Sequence, residues 1–187
     1  MTKEVVDQAA ISLSGRGWTI SRDKTEVVAR TSKAAEQAQI IIQARPARGE
    51  TRVTFICSAA PERFNHAVAK ISGDGVPAQE PIEQCRIVRS RSEYIDEDFA
   101  GMETEFQEWW SQRNLDETVR KLVTQYSEFG SGPLHHLAAL AVCQENETLN
   151  LIKSRFEDGD KSGFLPYITV DYVDRAIEIA QKKHSAV

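Results

Sequence analysis

The spacing of apolar residues in this chain changes near residue 18, and that change most constrains its fold. Residues 2–14 place apolar side chains three or four positions apart, which predicts a helix. Residues 18–58 instead alternate apolar and polar side chains, as strands do when one face of their sheet is buried. The pattern therefore predicts a helix followed by an antiparallel meander of short strands. The alternation is clearest at four apolar residues that are all expected to face one way: Ala38, Ile40, Ile42 and Ala44.

Five strands, with a helix between the last two, are predicted in the first half of the chain. A turn at Asp23-Lys24 joins the first two strands. Pro61 is well placed in the first turn of a helix that runs to about Ser72. The loop over 73–83 then contains Gly and Pro residues, which break regular structure. The predicted strands cover residues 18–22, 25–31, 37–45, 51–58 and 85–91.

From about residue 93 the apolar spacing becomes helical again. One continuous apolar stripe predicts a helix that covers the sheet: Ile95, Phe99, Met102, Phe106 and Trp109. Further helices are predicted over 114–129, 134–143 and 147–156 and from Thr169 onward. The chain is thus predicted to be α+β, with an antiparallel sheet of about five strands flanked by helices and a helical C-terminal half packed on it. We expect the halves, 1–92 and 93–187, to form one integrated domain.

Composition and charge argue against several classes of protein. The net charge of −5 argues against a general nucleic-acid binder and against attraction to anionic membranes. No apolar run approaches the ~20 residues of a membrane span, and the charged start of the chain lacks the apolar region of a secretory signal. Three irregularly spaced cysteines favour a reducing compartment over a disulfide framework. We therefore expect a cytoplasmic protein that holds no cofactor.

A run of arginines marks the predicted fifth strand. Arg86, Arg89 and Arg91 form a basic cluster there, and together with three outward-facing arginines of the earlier strands they predict a basic sheet face. Such a face suits an acidic segment of a partner or a phosphate, because guanidinium groups bind carboxylates and phosphates in a bidentate manner. The alternative is an ordinary solvated sheet face. The three earlier residues are Arg30, Arg45 and Arg52.

Two adjacent tryptophans give a second candidate contact surface. Trp109 continues the apolar stripe, whereas Trp110 is turned from it by about 100° on a helix and is expected to be partly exposed. Exposed tryptophan is favoured at protein interfaces because it combines a large apolar area with a hydrogen-bond donor. The alternative is that both indoles complete the core.

Residues 158–163 match the start of a calcium loop, with Asp158, Asp160 and Ser162 as ligands. The loop should end with a bidentate carboxylate, but Thr169 occupies that position, so a plain polar turn is the alternative. The apolar stretch over 163–168 that follows is expected to pack back on the helices rather than to form a contact surface.

Catalytic motifs are missing from the sequence. His135 and His136 point about 100° apart on a helix and suit one metal ion poorly. Neither a nucleophile elbow nor a phosphate-binding glycine loop occurs. We therefore predict no catalytic residues. An enzyme with an unrecognised site, using His66, His135, Asp158 or Asp160, is the alternative.

The order of elements over about residues 1–110 resembles that of type III secretion chaperones. The resemblance rests on layout, without a shared motif, and it implies an acidic homodimer that binds an effector segment as an extended chain. The helical half after residue 110 is a departure, since such chaperones lack it. No residue role follows from the resemblance.

These observations lead to a hypothesis of function. The sequence predicts a non-enzymatic, bacterial-type protein that binds another protein, such as a secretion chaperone, an adaptor or an immunity protein that neutralises a toxin. A homodimer is included among the expected partners, and nucleic acid and membranes are not. The alternatives are an enzyme with an unrecognised site and a weak calcium-binding module at 158–169.

Overall fold

A computed structural model describes residues 2–22, 26–73, 81–161 and 163–182. The predicted turn at Asp23-Lys24 lies outside the described residues. The class is α+β, as predicted, with a five-stranded antiparallel sheet. In chain order the elements are α1 (Thr2–Gly15), β1 (Thr19–Arg22), β2 (Val27–Lys33), β3 (Glu36–Ala47), β4 (Glu50–Pro61), α2 (Glu62–Ser72), β5 (Glu83–Arg91), α3 (Asp96–Ser111), α4 (Leu115–Thr124), α5 (Gly132–Val142), α6 (Asn146–Glu157) and α7 (Val170–Gln181).

The sheet is a meander, because the strands lie side by side in chain order from β1 to β5. Tight hairpins make this order possible. Ala34 and Ala35 join β2 to β3, and Arg48 and Gly49 join β3 to β4. All four residues have positive φ angles, which two-residue hairpin loops of type I′ require at both central positions. The predicted strands are confirmed, and the alternation of buried and more exposed side chains is clearest in β3 and β4.

One face of the sheet is covered by α1 and α3, and we call it the covered face. α1 contacts β3 and α3, and α3 contacts β5. Most of the alternating residues predicted to point inward are buried, including Ile40 and Phe55, whereas Ala44 is partly exposed. Burial of this apolar surface supplies the main driving force for folding. The large side chains of α1 and α3 that are buried within the same core include Leu13, Phe99, Met102 and Phe106.

The contacts divide the chain into two compact units. The sheet unit comprises Met1–Ala60 and Pro81–Asn114, and the helical unit comprises Pro61–Glu80 and Leu115–Val187. This division differs from the predicted one near residue 92, because α3 joins the sheet and α2 joins the later helices. The integration of the two halves into one domain stays a prediction.

The helical unit is organised around α5. This helix contacts α2, α4, α6 and α7, and every residue from 136 to 142 is buried. A helix that is apolar on all sides fits only in the interior of a helical cluster. Phe164 and Ile168 are buried too, which confirms that the apolar loop after α6 packs inward. None of the helices in the described part of the chain is long and apolar enough to cross a membrane.

Two predicted apolar positions lie at the surface instead. Ile95 precedes α3 and is 58% exposed, because the helix begins only at Asp96. Phe129, the last residue of the helix predicted over 114–129, is 79% exposed, because α4 ends at Thr124. The chain folds back sharply after α4, and its backbone at 127 comes close to the start of α5. A continued helix would prevent that return.

Candidate binding surface

The register between β4 and β5 separates the predicted arginine cluster. Arg86 lies opposite Ile56, whereas Arg89 lies opposite Val53 and Arg91 lies opposite Thr51. Val53 and Thr51 are buried on the covered face, so Arg89 and Arg91 project toward that side of the sheet. Because successive side chains on a strand point to opposite faces, Arg86 projects the other way. The prediction that these three arginines share one face is wrong.

Arg89 and Arg91 instead connect the edge strand to α3. Arg89 forms an ion pair with Glu105, and the Arg91 Nε atom lies 3.1 Å from an Asp98 carboxylate oxygen. Both pairs are partly exposed to solvent, so each contributes at most about 1 kcal/mol to stability. These two guanidinium groups are engaged within the sheet unit and are removed from the candidate surface.

Four other arginines do share one face, which we call the open face. They come from four adjacent strands: Arg30 from β2, Arg45 from β3, Arg52 from β4 and Arg86 from β5. All four are exposed, and none forms an ion pair with another described residue. Arg30 donates a hydrogen bond of 2.7 Å to the Ser21 hydroxyl on β1.

In the β1–β2, β2–β3 and β4–β5 ladders, no residue on the open face is an aspartate or a glutamate. Glu50 lies at the hairpin end of β4, two residues before Arg52, so it projects to the same face, just before the first pair of the β4–β5 ladder. The remaining side chains are amides, hydroxyls and a few aliphatic groups, of which Val88 is 44% exposed. The face therefore combines positive charge, hydrogen-bonding groups and apolar contact area. Its uncharged members include Gln39, Ile41, Gln43, Thr54, Ile56, Val88 and Ser90.

Trp110 is buried rather than exposed, which corrects the second predicted contact surface. It is 5% exposed, and its indole Nε1–H donates a 2.7 Å hydrogen bond to Glu36 of β3. Its small exposed edge lines an open groove of about 470 Å³ together with Lys33 and Arg113. Trp109 is half-buried, with the Arg113 guanidinium 5.0 Å from its ring centre. Trp110 is therefore the buried indole and Trp109 the partly exposed one, the reverse of the prediction. Trp110 is buried because its indole reaches a carboxylate partner, Glu36, at the start of β3.

The predicted calcium ligands lie at the end of α6. Asp158 and Asp160 are both exposed, and Ser162 lies outside the described residues. Across 2–22, 26–73, 81–161 and 163–182, no three His, Cys, Asp or Glu side chains are placed to hold a metal ion. The calcium hypothesis stays a prediction, and its ligands are not part of the open face.

A comparison with protein families identifies the chain's relatives. The model of DUF6990, a family of unknown function, matches residues 6–181. The chain belongs to the DUF6990 family. No curated protein and no solved structure matches the chain. Membership in the family therefore groups this chain with others without assigning it an activity, and the surfaces of the protein have to carry the functional argument.

Sequence reasoning missed two features of the β4–β5 pair. The Tyr94 hydroxyl accepts a 3.2 Å hydrogen bond from the Val53 N–H and donates one of 2.7 Å to the Arg89 carbonyl. Cys57 also lies directly opposite Cys85. The separation of the two cysteines in sequence gives no signal of this, since the register of β5 against β4 has to be known first.

Proposed function

We propose that this chain is a protein-binding module whose open face binds an acidic segment of another protein. The observation that carries the proposal is the group of four exposed arginines on a face that holds no carboxylate in the β1–β2, β2–β3 and β4–β5 ladders. The module is non-enzymatic and bacterial in type. A chaperone, an adaptor and an immunity protein that neutralises a toxin are the roles that such a surface suits.

The charge distribution supports an acidic partner. The whole chain has 28 acidic and 23 basic residues, so a random sheet face would carry both signs. Two arginines that project to the covered face have carboxylate partners on α3, whereas the four on the open face have no ion-pair partner among the described residues. Carboxylates of a partner would supply the missing acceptors, and complementary charge speeds association and selects the partner.

Protein fits this face better than nucleic acid does. Along the paired strands the open face offers aliphatic side chains such as Ile41, Ile56 and Val88, and it carries no aromatic ring on which a base would stack. Four arginines in a chain of net charge −5 also give a weak field for a polyanion. The cytoplasm is the proposed compartment, because the three cysteines are free.

The test compares charge reversal on the open face with an equal reversal elsewhere. The test variant is Arg52→Glu/Arg86→Glu, and the control is Arg120→Glu/Arg155→Glu, which changes two exposed arginines of the helical unit. Immobilised wild-type protein and both variants are incubated with extract from the source cell. The bound proteins are then quantified by mass spectrometry.

We expect a near-stoichiometric protein that the wild type and the control retain and that the test variant loses at least tenfold. Poly-glutamate should compete for the same surface, and binding should weaken as salt is raised, because exposed charges are screened. Equal capture by all three proteins would remove the open face from the model. A preference for a single-stranded DNA oligonucleotide over poly-glutamate would instead assign the face to nucleic acid. A loss confined to self-association, measured by light scattering, would assign it to a second copy of this chain.

A further inference from the structure

Cys57 and Cys85 form a cross-strand pair within the sheet unit. The β4–β5 register sets them directly opposite each other. Opposed residues of antiparallel strands have Cα atoms roughly 4.5 to 5.5 Å apart, which lies within the range of about 4.4 to 6.8 Å found for disulfides. Both cysteines are free thiols in the structure. Their side chains project to the same face of the sheet, the covered face.

The two thiols differ in access. Cys57 is fully buried on β4, whereas Cys85 is partly exposed on β5, the edge strand of the sheet. Burial raises the pKa of both thiols. At Cys85 the neighbouring Cys57 thiol and the positive charge of Arg113 oppose that effect and the Glu105 carboxylate adds to it, so the Cys85 pKa stays above its ordinary value. Since the thiolate is the reacting form, Cys85 is the first thiol to react and Cys57 is the second.

We propose that Cys57 and Cys85 are a reversible disulfide site that is oxidised by small-molecule disulfides such as oxidised glutathione. The Cys85 sulfur, having lost its proton, attacks one sulfur of the small disulfide, which releases one small thiol and leaves a mixed disulfide on Cys85. The Cys57 sulfur then loses its proton, attacks the Cys85 sulfur and displaces the second small thiol. Two protein thiols and one small disulfide thus give one cross-strand disulfide and two small thiols, so atoms and electrons balance.

The position of the pair gives the disulfide a structural consequence. A bond between Cys57 and Cys85 would close a loop over residues 58–84. This loop includes Pro61–Glu80, a segment of the helical unit that is flanked in sequence by residues of the sheet unit. It would also tie the edge strand β5, and with it Arg86, to β4. Oxidation is therefore expected to restrict the opening of β5 while leaving the open face in place. This inference is independent of the proposed function.

The test uses the purified 187-residue protein and oxidised glutathione at pH 8. Of the three thiols, we expect two to be lost, with an intact mass lower by two hydrogen atoms. Digestion with trypsin without reductant should then yield residues 53–63 linked to residues 71–86, with Cys143 still free. Dithiothreitol should restore all three thiols. The melting temperature should be higher for the oxidised protein than for the reduced protein, because the crosslink restricts the unfolded chain.

Two variants keep the inference open to refutation. Cys143→Ala should oxidise as the wild type does, and Cys57→Ala should stop at a stable glutathione adduct on Cys85. A linked peptide that contains Cys143, or a wild-type protein that accumulates the glutathione adduct without closing the disulfide, would overturn the proposal. Retention of all three thiols after prolonged incubation in native buffer, when the unfolded chain in urea loses them, would overturn it equally.

Discussion

The sheet unit and the helical unit bury their cores with different kinds of contact. In the sheet unit, α3 is connected by polar as well as apolar side chains: the Trp18 indole donates to Glu103 at 2.9 Å, and the Trp110 indole donates to Glu36. In the helical unit, α5 is enclosed mainly by aliphatic and aromatic side chains. Directional contacts fix the orientation of α3, whereas the helical unit depends on close packing.

The distribution of tryptophan allows the two units to be followed separately. Trp18, Trp109 and Trp110, the three tryptophans of the chain, all belong to the sheet unit. Their fluorescence therefore reports the sheet unit, while circular dichroism at 222 nm reports helices in both. Coincident urea transitions by the two probes would show that the units unfold together, and separated transitions would show that they do not.

The largest expected effect comes from Gly132→Ala at the first residue of α5. A Cβ atom there would overlap the carbonyl oxygen of Ser127, where the chain folds back after α4. Backbone cannot move aside as a flexible side chain does, so we expect a loss of about 3 kcal/mol in the free energy of unfolding. Urea denaturation followed by circular dichroism measures it.

Gly101→Ala is the matched control in the sheet unit. Gly101 lies within α3, and a Cβ atom there meets no atom within 4 Å. Because glycine is unfavourable in a helix interior, the substitution should stabilise the protein by up to about 1 kcal/mol. Equal effects of the two substitutions would contradict the tight backbone approach between residue 127 and α5.

The second prediction concerns Tyr94→Phe in the sheet unit. Removal of the hydroxyl leaves the buried Val53 N–H and the Arg89 carbonyl without their partner. An unsatisfied buried donor costs about 1 to 3 kcal/mol, so we expect a loss of roughly 2 kcal/mol, seen as a shift of the tryptophan fluorescence transition in urea.

Tyr167→Phe provides the comparison in the helical unit. Its hydroxyl donates a 2.7 Å hydrogen bond to the Gly130 carbonyl, but the side chain is 40% exposed. Water can replace the lost partner there, so the effect should be only a few tenths of a kcal/mol. If the two tyrosines cost the same, the Tyr94 hydroxyl does not bridge β4 and β5 in solution.

The sequence predicted the layers of the fold better than it predicted the surface. Alternation placed Ile40 and Phe55 in the core, because period-2 spacing is a local property of a strand. The same alternation within β5 separates Arg86 from Arg89, so that part of the correction was accessible from spacing alone. The pairing of Cys57 with Cys85 could not be predicted from spacing, since it depends on the register between β4 and β5, which are separated in sequence by α2 and the loop after it.

Helix spacing alone left the two indoles unresolved. Trp109 and Trp110 lie three and four residues after Phe106, and both separations place a side chain on the same side of a helix as Phe106. The choice depends on Glu36, which is distant in sequence and accepts the Trp110 hydrogen bond. Tertiary partners of this kind determine which side chains remain available at the surface, and they decide the candidate site.

The third prediction concerns the dependence of the helical unit on pH. His136 is buried, its ring stacks on Tyr126 at 4.1 Å, and its Nδ1 atom lies 2.8 Å from the Leu122 carbonyl oxygen. Burial lowers the pKa of His136 below its ordinary value of 6.5. The unfolded chain therefore binds the proton more readily, so the stabilisation is fully present above about pH 6.5 and is lost as the pH falls below it.

The expected loss is about 1.4 kcal/mol for each unit by which the folded-state pKa of His136 lies below 6.5. In the sheet unit, hydrogen bonding to Arg16 lowers the pKa of Asp96 from 3.8, so its contribution is lost only as the pH falls below about 4. Urea denaturation at pH 7 and at pH 5 should therefore show a decrease that His136→Leu abolishes and that Asp96→Asn leaves intact. A decrease of equal size in His136→Leu would assign the pH dependence to another group, and the buried imidazole would then be a packing element of α5 alone.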